Sequence, residues 1–408
     1  MVGVAVVGTR WMSTVLSKVN VFAWGSGLNG ELGMGEIVNG LPLPTRLWWE
    51  QDPEEEESCR LLSAGDGFTL CASETGLYSC GTNNMGQIGR LDWDERTAGS
   101  EGVRKAANPL AYPEPTIHFD RICSGRFHSL MREENSQALY SMGASNYGQL
   151  GNMTTAPSFR ATAAVVAPLF EGGTGLFACG WLHSIACTGN KVYSWGQNHH
   201  LQLGHGSDFP ALKPKLIDEL TGRLVDHIAC GLYHSSVVVD AGREILVWGT
   251  NQQAILFGIP AADVPPRISP LPIPTRFARY LEDNHERIVS ISAGKMHTVL
   301  ATSYGRVLCW GKNDWGQLGS GSFQNHDAPI LVDLPQKIVQ VACGCDFTLA
   351  LTDEGQMYAW GANSDGQLGS KAASIKNPTP IRVDLPPNTR VVNMAAGFRH
   401  VVSSLRLC

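Results

Sequence analysis

The sequence predicts an all-β protein, a seven-bladed β-propeller whose last blade is closed by the N-terminal strand. Three observations support this prediction: two short phrases alternate seven times along 408 residues, hairpin-like segments join them, and the two ends carry complementary half-hairpins. Repeats of about 50 residues, rich in strands and glycines, are typical of propellers or solenoids. A solenoid would cap its ends with polar repeats, whereas a closed ring would pair them and leave no open sheet edge.

The first phrase is an apolar residue, then Gly, about four polar residues and Gly-Gln-Leu-Gly. Its seven copies begin at Trp24, Cys80, Met142, Trp195, Trp248, Trp310 and Trp360. Because cysteine and methionine replace tryptophan in two copies, we interpret the slot as a core position rather than a binding surface. The glycines are expected where a tight turn needs a positive φ or a close approach of two backbones.

The second phrase is a small residue, Gly, two variable residues and usually His. This last slot holds Phe68, His128, His183, His234, His297, Phe347 and His400. An active site usually needs one histidine rather than five spread around a ring. Phenylalanine in two copies indicates that bulk and position matter more than protonation, so we predict a structural role for the slot.

The spacing of the phrases separates a constant half from a variable half of each repeat. From the glycine of the second phrase to that of the next first phrase the distance is 16 to 18 residues, and the arms alternate as strands do. The remaining half varies from 33 to 45 residues and holds the long insertions, as expected of surface loops. The chain starts with half a hairpin at 21–24 and ends with the other half at 400–404, which predicts the closed ring.

Composition excludes several protein classes. Hydrophobic residues make up 43% of the chain, enough for a core, so wholesale disorder is not expected. No run of 18 apolar residues exists, which argues against a transmembrane helix. The net charge of −6 argues against a protein that coats nucleic acid. Eleven scattered cysteines without a CxxC pair predict a reducing compartment and no disulfide framework.

Motifs for catalysis, cofactors or metals are weak. Gly25 to Gly30 matches GxGxxG, but its glycines fill repeat slots and no βαβ unit surrounds it. His199, His200 and His205 crowd one loop without a carboxylate or cysteine to complete a metal site, so they are interpreted as solvated. We therefore predict no catalytic, cofactor-binding or metal-ligating residues.

The WGxNxxGQLG and ACGxxHT phrases resemble the signature of the regulator of chromosome condensation repeat family, over roughly residues 20 to 405. The resemblance implies a seven-bladed ring that serves several roles. The family's Ran-acting members add a basic N-terminal tail for chromatin, which is missing here, so no direct chromatin binding is expected. Those members also use an acidic residue before the repeat histidine in an early blade. Phe127 and Leu182 stand there in this chain, whereas Asp346 has the right context in a late repeat.

Three further features are candidate partner-binding elements. An acidic run holds Glu54, Glu55, Glu56 and Glu57, and long insertions fall at 91–116 in the second repeat and 259–287 in the fifth. The second insertion is rich in proline and ends with Arg276, Arg279 and Arg287. Since both insertions belong to the variable half, we expect them on one side of the ring, roughly 150° apart. The alternative is that both are tolerated surface excursions without a partner.

Residues 1–20 precede the propeller at 21–408 and hold Arg10 and Lys18 but no acidic residue. Such a leader fits a mitochondrial transit peptide. The segments 64–70, 125–128 and 141–143 and the insertion at 91–116 also resemble, more loosely, the mitochondrial member of the family. That likeness would imply a role in mitochondrial ribosome or RNA maturation, or as an exchange factor. An intracellular location is expected, with mitochondrion and cytoplasm both open.

The function predicted from these features is a non-catalytic scaffold for protein–protein interaction. Its partner would be a small GTPase or ribosomal and RNA-processing proteins, and the scaffold itself is expected to be a monomer. The alternative is a guanine-nucleotide exchange factor for a small GTPase, which needs no covalent chemistry because the scaffold would favour the nucleotide-free state. Light sensing by stacked tryptophans is disfavoured, because most tryptophans fill the core slot.

Overall fold

The computed structural model describes residues 19–47, 59, 61–73, 76–89, 105–111, 117–136, 138–163, 175–250, 267–272 and 275–408. These ranges contain 28 strands and one α-helix, α1 (Thr275–Asp283). The strands are β1 (Val19–Gly25), β2 (Leu41–Arg46), β3 (Leu61–Ala64), β4 (Phe68–Ala72), β5 (Leu77–Thr82), β6 (Lys105–Ala111), β7 (Phe119–Ser124), β8 (His128–Glu133), β9 (Leu139–Gly143), β10 (Ser158–Ala163), β11 (Phe177–Cys179), β12 (His183–Thr188), β13 (Lys191–Gly196), β14 (Ala211–Leu216), β15 (Val225–Cys230), β16 (His234–Val239), β17 (Glu244–Gly249), β18 (Arg267–Pro272), β19 (Ile288–Ala293), β20 (His297–Thr302), β21 (Val307–Gly311), β22 (His326–Val332), β23 (Ile338–Cys343), β24 (Phe347–Thr352), β25 (Met357–Ala362), β26 (Lys376–Arg382), β27 (Thr389–Ala396) and β28 (His400–Leu407).

The strands form seven antiparallel sheets of four strands each. Blades 2 to 7 are built in chain order from β3–β6, β7–β10, β11–β14, β15–β18, β19–β22 and β23–β26. Blade 1 combines both ends of the propeller in the order β27, β28, β1, β2. The innermost strands β27, β3, β7, β11, β15, β19 and β23 contact one another in sequence and return to β27. The predicted seven-bladed propeller is therefore confirmed.

Ring closure depends on the pairing of β1 with β28. Val19 lies opposite Arg406 and Gly25 opposite His400, so all seven residues of β1 are paired in one register. This pairing covers the edge that β28 would otherwise present to other chains. The prediction that the N-terminal strand closes the last blade is confirmed.

The repeated tryptophan is a core residue in every described copy. Trp24, Trp195, Trp248, Trp310 and Trp360 are each 0% exposed, and Cys80 and Met142 are buried in the same slot. Each ring lies between two blades, in an apolar cluster such as the one where Trp24 packs with Leu368 and Val401. Burial of large aromatic surface at each blade junction stabilises the stacked sheets.

All blades share one orientation, which defines two faces of the ring. The mouth face carries the loops from each inner strand to the second strand and the first-phrase loops that follow each third strand. The opposite face carries the hairpin turns and the connections to the next blade. At the mouth face the two loop types of a blade are joined, as where the Gln197 amide donates to the Leu182 carbonyl at 2.8 Å.

The described parts of the two predicted insertions are regular elements rather than loops, and the rest of both segments lies outside the described residues. The segment 91–116 contains the outer strand β6, and the segment 259–287 contains the outer strand β18 followed by α1. An outer strand runs from the mouth face to the opposite face, so each segment reaches both. Helix α1 lies on the opposite face, where Phe277 and Leu281 pack with Ile288 and Leu308. In the described ranges, no helix has the length and apolar character needed to span a bilayer.

Cys59 and Cys71 form a disulfide with their Cα atoms 6.1 Å apart. This pair was not expected from the sequence, because the cysteines are scattered and odd in number. The thiols that fill repeat slots, including Cys179, Cys230 and Cys343, are buried and free. They behave as small core residues, as predicted.

Candidate functional site: the mouth of the ring

The repeated histidines link neighbouring blades. The Nε2 atom of each ring lies 2.9 to 3.1 Å from a serine or threonine hydroxyl of the next blade. The pairs are His128–Ser184, His183–Ser235, His234–Thr298, His297–Thr348 and His400–Thr69. The residue that carries the hydroxyl directly follows the His or Phe slot of its own blade. Five of the seven blades thus hold the next blade through the same two positions.

The tautomer of these rings follows from the bonds that the hydroxyls make. The Ser235 hydroxyl donates to the Gln202 carbonyl at 2.8 Å, a carbonyl that also accepts Trp248 Nε1–H at 2.8 Å. A hydroxyl has one proton to donate, so it must accept from His183 Nε2–H. The same arrangement recurs at Ser184, which donates to the Gln149 carbonyl. The glutamine, tryptophan, hydroxyl and histidine slots therefore form one repeated unit between blades.

The two phenylalanine copies are consistent with this unit. Phe347 of blade 7 packs in the cluster that contains Val401, and valine replaces the hydroxyl residue at that position of blade 1. Phe68 of blade 2 faces the slot of Ser129, whose hydroxyl lies 3.3 Å from that of Ser124 in its own blade. A phenyl ring offers no donor, so a hydroxyl in the next blade needs another partner or is absent.

Burial keeps these imidazoles neutral. Desolvation lowers the pKa of His128, His183, His234, His297 and His400 to about 3. Nδ1 of each ring is buried without a hydrogen-bond partner in the described part of the chain. A general base must reach solvent or substrate. These histidines do neither, which supports their predicted structural role.

The side chains at the mouth differ from blade to blade. We define the mouth cluster as Asp66, Arg126, Trp181, Leu232 and Phe398, which occupy the same loop position, directly after the second-phrase glycine, in five blades. Backbone bonds join these loops around the axis, as from Phe398 N–H to the Gly65 carbonyl at 3.1 Å. The rings of Trp181 and Phe398, from blades 4 and 1, meet with centroids 5.5 Å apart. The cluster therefore brings two aromatic rings and Leu232 together at the mouth face.

Arg126 is the charged centre of the mouth cluster. Its guanidinium carbon lies 4.3 Å from the Trp181 ring centroid and 4.5 Å from that of Phe127. Its Nε donates to Asp66 Oδ2 at 2.9 Å, and the two side chains are 32% and 23% exposed. Stacking on two rings and pairing with a carboxylate hold the cation in place while part of it stays accessible.

A second set of large side chains surrounds the mouth cluster. We define the mouth rim as Met85, Tyr147, His200 and Trp315, each of which stands directly before the Gly-Gln-Leu-Gly of the first phrase or its equivalent. The His200 ring lies 3.8 Å from that of Tyr233, and Lys376 Nζ lies 4.6 Å from the Trp315 ring. Accessible aromatic, methionine and arginine side chains are the types enriched in protein interfaces.

Asp346, the acidic residue singled out from the sequence, also lies at the mouth face. Its Oδ1 accepts from Gln317 Nε2 at 3.4 Å, and its Oδ2 accepts from the Cys345 thiol at 3.1 Å. Its charge helps to raise the pKa of Lys312, whose main cause is the bond from Lys312 to Asp314. Asp346 is thus a half-buried carboxylate on the same face as Arg126, four blades further along the ring.

The other candidates lie elsewhere. Arg279 in α1 and Arg287 before β19 are exposed on the opposite face, and Arg276 belongs to the first turn of α1. Glu54, Glu55, Glu56 and Glu57 fall outside the described residues, as does most of 91–116. The structure therefore does not bring the predicted arginines and Asp346 into one site.

The loop histidines have separate partners. His205 Nε2 lies 2.8 Å from the Ser194 hydroxyl, and His199 packs edge-on to Tyr147. In the described ranges, no group of three or more histidine, cysteine or acidic residues is placed to hold a metal ion. The mouth cluster was not predicted, although the variable position after each second-phrase glycine marks its residues.

Comparison with known proteins identifies the repeat. The family model for the regulator of chromosome condensation (RCC1) repeat matches residues 190–238, 304–351 and 354–403, and a second RCC1-repeat model matches 288–317 and 338–367. The chain is an RCC1-repeat propeller. Each of the three segments matched by the first model begins in one blade and ends in the next. This offset is expected where the first strand of the chain completes the last sheet.

Several curated proteins align with this chain at low identity. An RCC1 repeat-containing protein of Dictyostelium discoideum is 24% identical over 73% of this chain and 66% of its own length. The secretion-regulating guanine nucleotide exchange factor of Mus musculus is 28% identical over 75% of this chain and 62% of its own. The chain spans about two thirds or less of the length of the curated relatives that it matches.

Two solved structures share the RCC1-repeat fold. Human WBSCR16 superposes with a TM-score of 0.78 at 22% identity, covering 95% of this chain and 99% of that protein. Prp20p of Saccharomyces cerevisiae, studied for its binding to Gsp1p and histones, gives 0.80 at 20% identity, covering 97% and 93%. At these identities the likeness establishes the fold.

Proposed function

We propose that this RCC1-repeat propeller is a non-catalytic platform that binds a partner protein at its mouth face. One observation carries the proposal: a stacked arginine, paired with a carboxylate and framed by aromatic rings, occupies the centre of a face that large side chains surround. Tryptophan, tyrosine and arginine dominate the binding energy of protein interfaces. The recurring histidines, by contrast, are buried and neutral in links between blades.

The chemistry of the mouth favours a partner with an acidic or polar anchor. Within the described residues the Arg126 side chain donates only to Asp66, through Nε, and the neighbouring Arg399 side chain is 57% exposed. Asp66 and Asp346 would orient a basic group in the same interface. A surface of mixed charge around an aromatic centre suits a folded protein better than a nucleic-acid backbone, which would meet these carboxylates as like charges.

A quantitative affinity purification tests the platform. Full-length tagged R126A is compared with wild type and with R279A, a matched exposed arginine on the opposite face. We expect partners to be lost from R126A by at least fivefold and retained by R279A. Equal partner recovery from all three proteins would overturn the mouth as the binding face. Deletion of 91–104, the segment that precedes β6, tests the predicted contribution of that insertion in the same assay.

Exchange of guanine nucleotide is the second candidate function, because an exchange factor is among the aligned relatives. An exchange factor needs only to bind the nucleotide-free GTPase more tightly than the GDP form. Acceleration of GDP release is measured over a panel of small GTPases, with D346A and R126A as variants. Acceleration that both variants reduce would assign the activity to the mouth face, whereas no acceleration with any GTPase favours the scaffold alone.

Compartment decides between the partner classes. A role with mitochondrial ribosomal or RNA-processing proteins requires import, for which the acid-poor residues 1–20 are the candidate signal. Proximity labelling of the full-length chain and of a chain that starts at Met12 tests this. Labelling of mitochondrial proteins by the first and not by the second supports the mitochondrial role, and identical cytoplasmic labelling removes it.

A further inference from the structure

The outer strands of the seven blades share one register. In each blade, the first-phrase glycine of the third strand pairs with a residue of the outer strand. The outer-strand residue four positions later also pairs with the third strand. The outer-strand members of these second pairs are Thr45, Leu110, Thr162, Lys215, Leu271, Ile330 and Ile381. The residue before each of them therefore occupies one equivalent position, which we define as the edge position.

Proline occupies the edge position in every blade except one. The residues are Pro44, Pro109, Pro214, Pro270, Pro329 and Pro380, with Ala161 of blade 3 as the exception. Proline has no N–H, so it is tolerated in a strand where that group would point away from the neighbouring strand. The edge position is therefore one whose N–H points outward, and only at Ala161 does an N–H group exist there.

The next outward position supports this geometry. Ala163 of β10 pairs with Tyr140, and the equivalent residue of blade 5 is Pro272, which pairs with Leu246. Proline at this register again indicates an outward-facing amide. Strand β10 has the sequence Ser-Phe-Arg-Ala-Thr-Ala and lacks proline altogether. Among the described strands, β10 is the edge of its sheet, since the order is β10, β9, β8, β7.

An open strand edge invites another strand, and proteins usually block it with proline or charge. Six blades of this ring carry such a block at the same position, and one does not. We propose that the outer edge of β10, at Ala161 and Ala163, is a docking site for an extended segment of a partner protein, which adds to blade 3 as a fifth strand. The outward amides and carbonyls have the spacing of a polypeptide ladder, so the occupant is a main chain that presents its own N–H and C=O groups.

This inference deepens the proposed platform role at a surface separate from the mouth cluster. Blade 3 contributes Arg126 to the mouth from its inner edge, whereas β10 lies on the outer rim. A main-chain ladder selects an extended backbone rather than a particular sequence. Specificity would then come from the partner's alternate side chains.

A peptide-binding experiment on the full chain tests the proposal. A library of 12-residue peptides is selected on the wild-type protein, and the enriched peptides are measured by fluorescence anisotropy against wild type, A161P and A161V. We expect A161P to weaken binding by at least tenfold and A161V by less than threefold. Because proline fits this position in six blades, A161P should keep the wild-type urea midpoint. A163P, which copies Pro272 of blade 5, is the second blocked variant should A161P unfold.

Four further measurements test the ladder itself and distinguish the β10 edge from the mouth, from self-association and from cover by the chain itself. N-methylation along the peptide should abolish binding at every second residue, as expected of a ladder, and R126A should bind as wild type does. Loss of binding in R126A would place the peptide at the mouth, and equal binding to A161P would leave the edge without a role. A wild-type dimer that A161P makes monomeric would show a second copy as the occupant, and slow hydrogen exchange at Ala161 in the free monomer would show cover by the chain itself. Any of these results, or failure to enrich peptides, overturns the proposal.

Discussion

The His183 ring of blade 4 donates from Nε2 to the Ser235 hydroxyl of blade 5, 2.9 Å away and fully buried. Ser235 in turn donates to the Gln202 carbonyl of blade 4. One bond therefore runs from blade 4 to blade 5 and the next returns. At this junction the donor of each side chain has an acceptor, and the two hydrogen bonds hold the blades together.

Removal of the Ser235 hydroxyl should lower the free energy of unfolding more than replacement of the whole His183–Ser235 pair. S235V leaves His183 Nε2–H buried without an acceptor, which we expect to lower the free energy of unfolding by about 1–3 kcal/mol. The double variant H183F/S235V copies the native Phe347–Val401 pair and should recover most of that loss. Urea unfolding of wild type, H183F, S235V and the double variant measures the coupling. A double variant that is as unstable as the sum of the single ones would contradict the equivalence of the two pairs.

Acid should destabilise the ring through its five buried histidines. Their folded pKa of about 3 lies below the ordinary value of 6.5, so the unfolded chain binds more protons between these values. The stability they confer is complete above pH 6.5 and is lost as pH falls toward 3, with a slope of about 1.4 kcal/mol per pH unit for each histidine. Urea midpoints from pH 4.5 to 7.5 measure the slope. H183F/S235V should reduce it by about one proton, and an unchanged slope would refute the assignment.

Gly180 leaves room for the His183 ring, because a Cβ at Gly180 would overlap Cε1 and Nδ1 of that ring. G180A should therefore destabilise the protein by about 1–3 kcal/mol through overpacking. Gly206 is the control: its φ is +73° and nothing lies within 4 Å of a Cβ there. G206N should be nearly neutral, because asparagine tolerates the left-handed region. Thermal unfolding compares the two, and equal losses would rule out the steric explanation.

Trp24 tests the junction at which the two chain ends meet. Its Nε1 donates to the Gln367 carbonyl at 3.0 Å, across 343 residues of sequence. W24A should lower the free energy of unfolding by about 3–5 kcal/mol because it removes a fully buried ring. W24M should cost less, since Met142 fills the same slot in blade 3. Chemical denaturation measures both, and a W24M protein as unstable as W24A would mean that the indole bond rather than bulk governs the slot.

The ring, its closure and the core slots could be predicted from the sequence because each is repeated. A position that recurs seven times shows its tolerance directly, as when Cys80 and Met142 replace tryptophan. The mouth cluster could not be found in this way, since Asp66, Arg126 and Trp181 share a position but no chemistry. Their contact depends on the geometry of the ring, which brings side chains from blades 2, 3 and 4 to one axis.

Two local elements were also missed from the sequence, the outer strand β18 and the helix α1. The segment 259–287 was interpreted as an insertion on account of its prolines, yet it supplies the outer strand β18 and the helix α1. Phe277, Tyr280 and Leu281 have the i, i+3, i+4 spacing of a helix face, a signal that was present in the sequence. The prolines of β18 are compatible with an edge strand because one side of its backbone is unpaired.

The placement of β1 beside β28 has a consequence for biosynthesis. Among the described strands β1 is synthesised first and β28 last, so blade 1 can form only after the strands of the other six blades have been synthesised. Until β28 has been synthesised, β1 lacks this partner and the ring cannot close. Assembly of the propeller therefore ends with the pairing of β1 and β28, and a chain that stops before β28 cannot form blade 1.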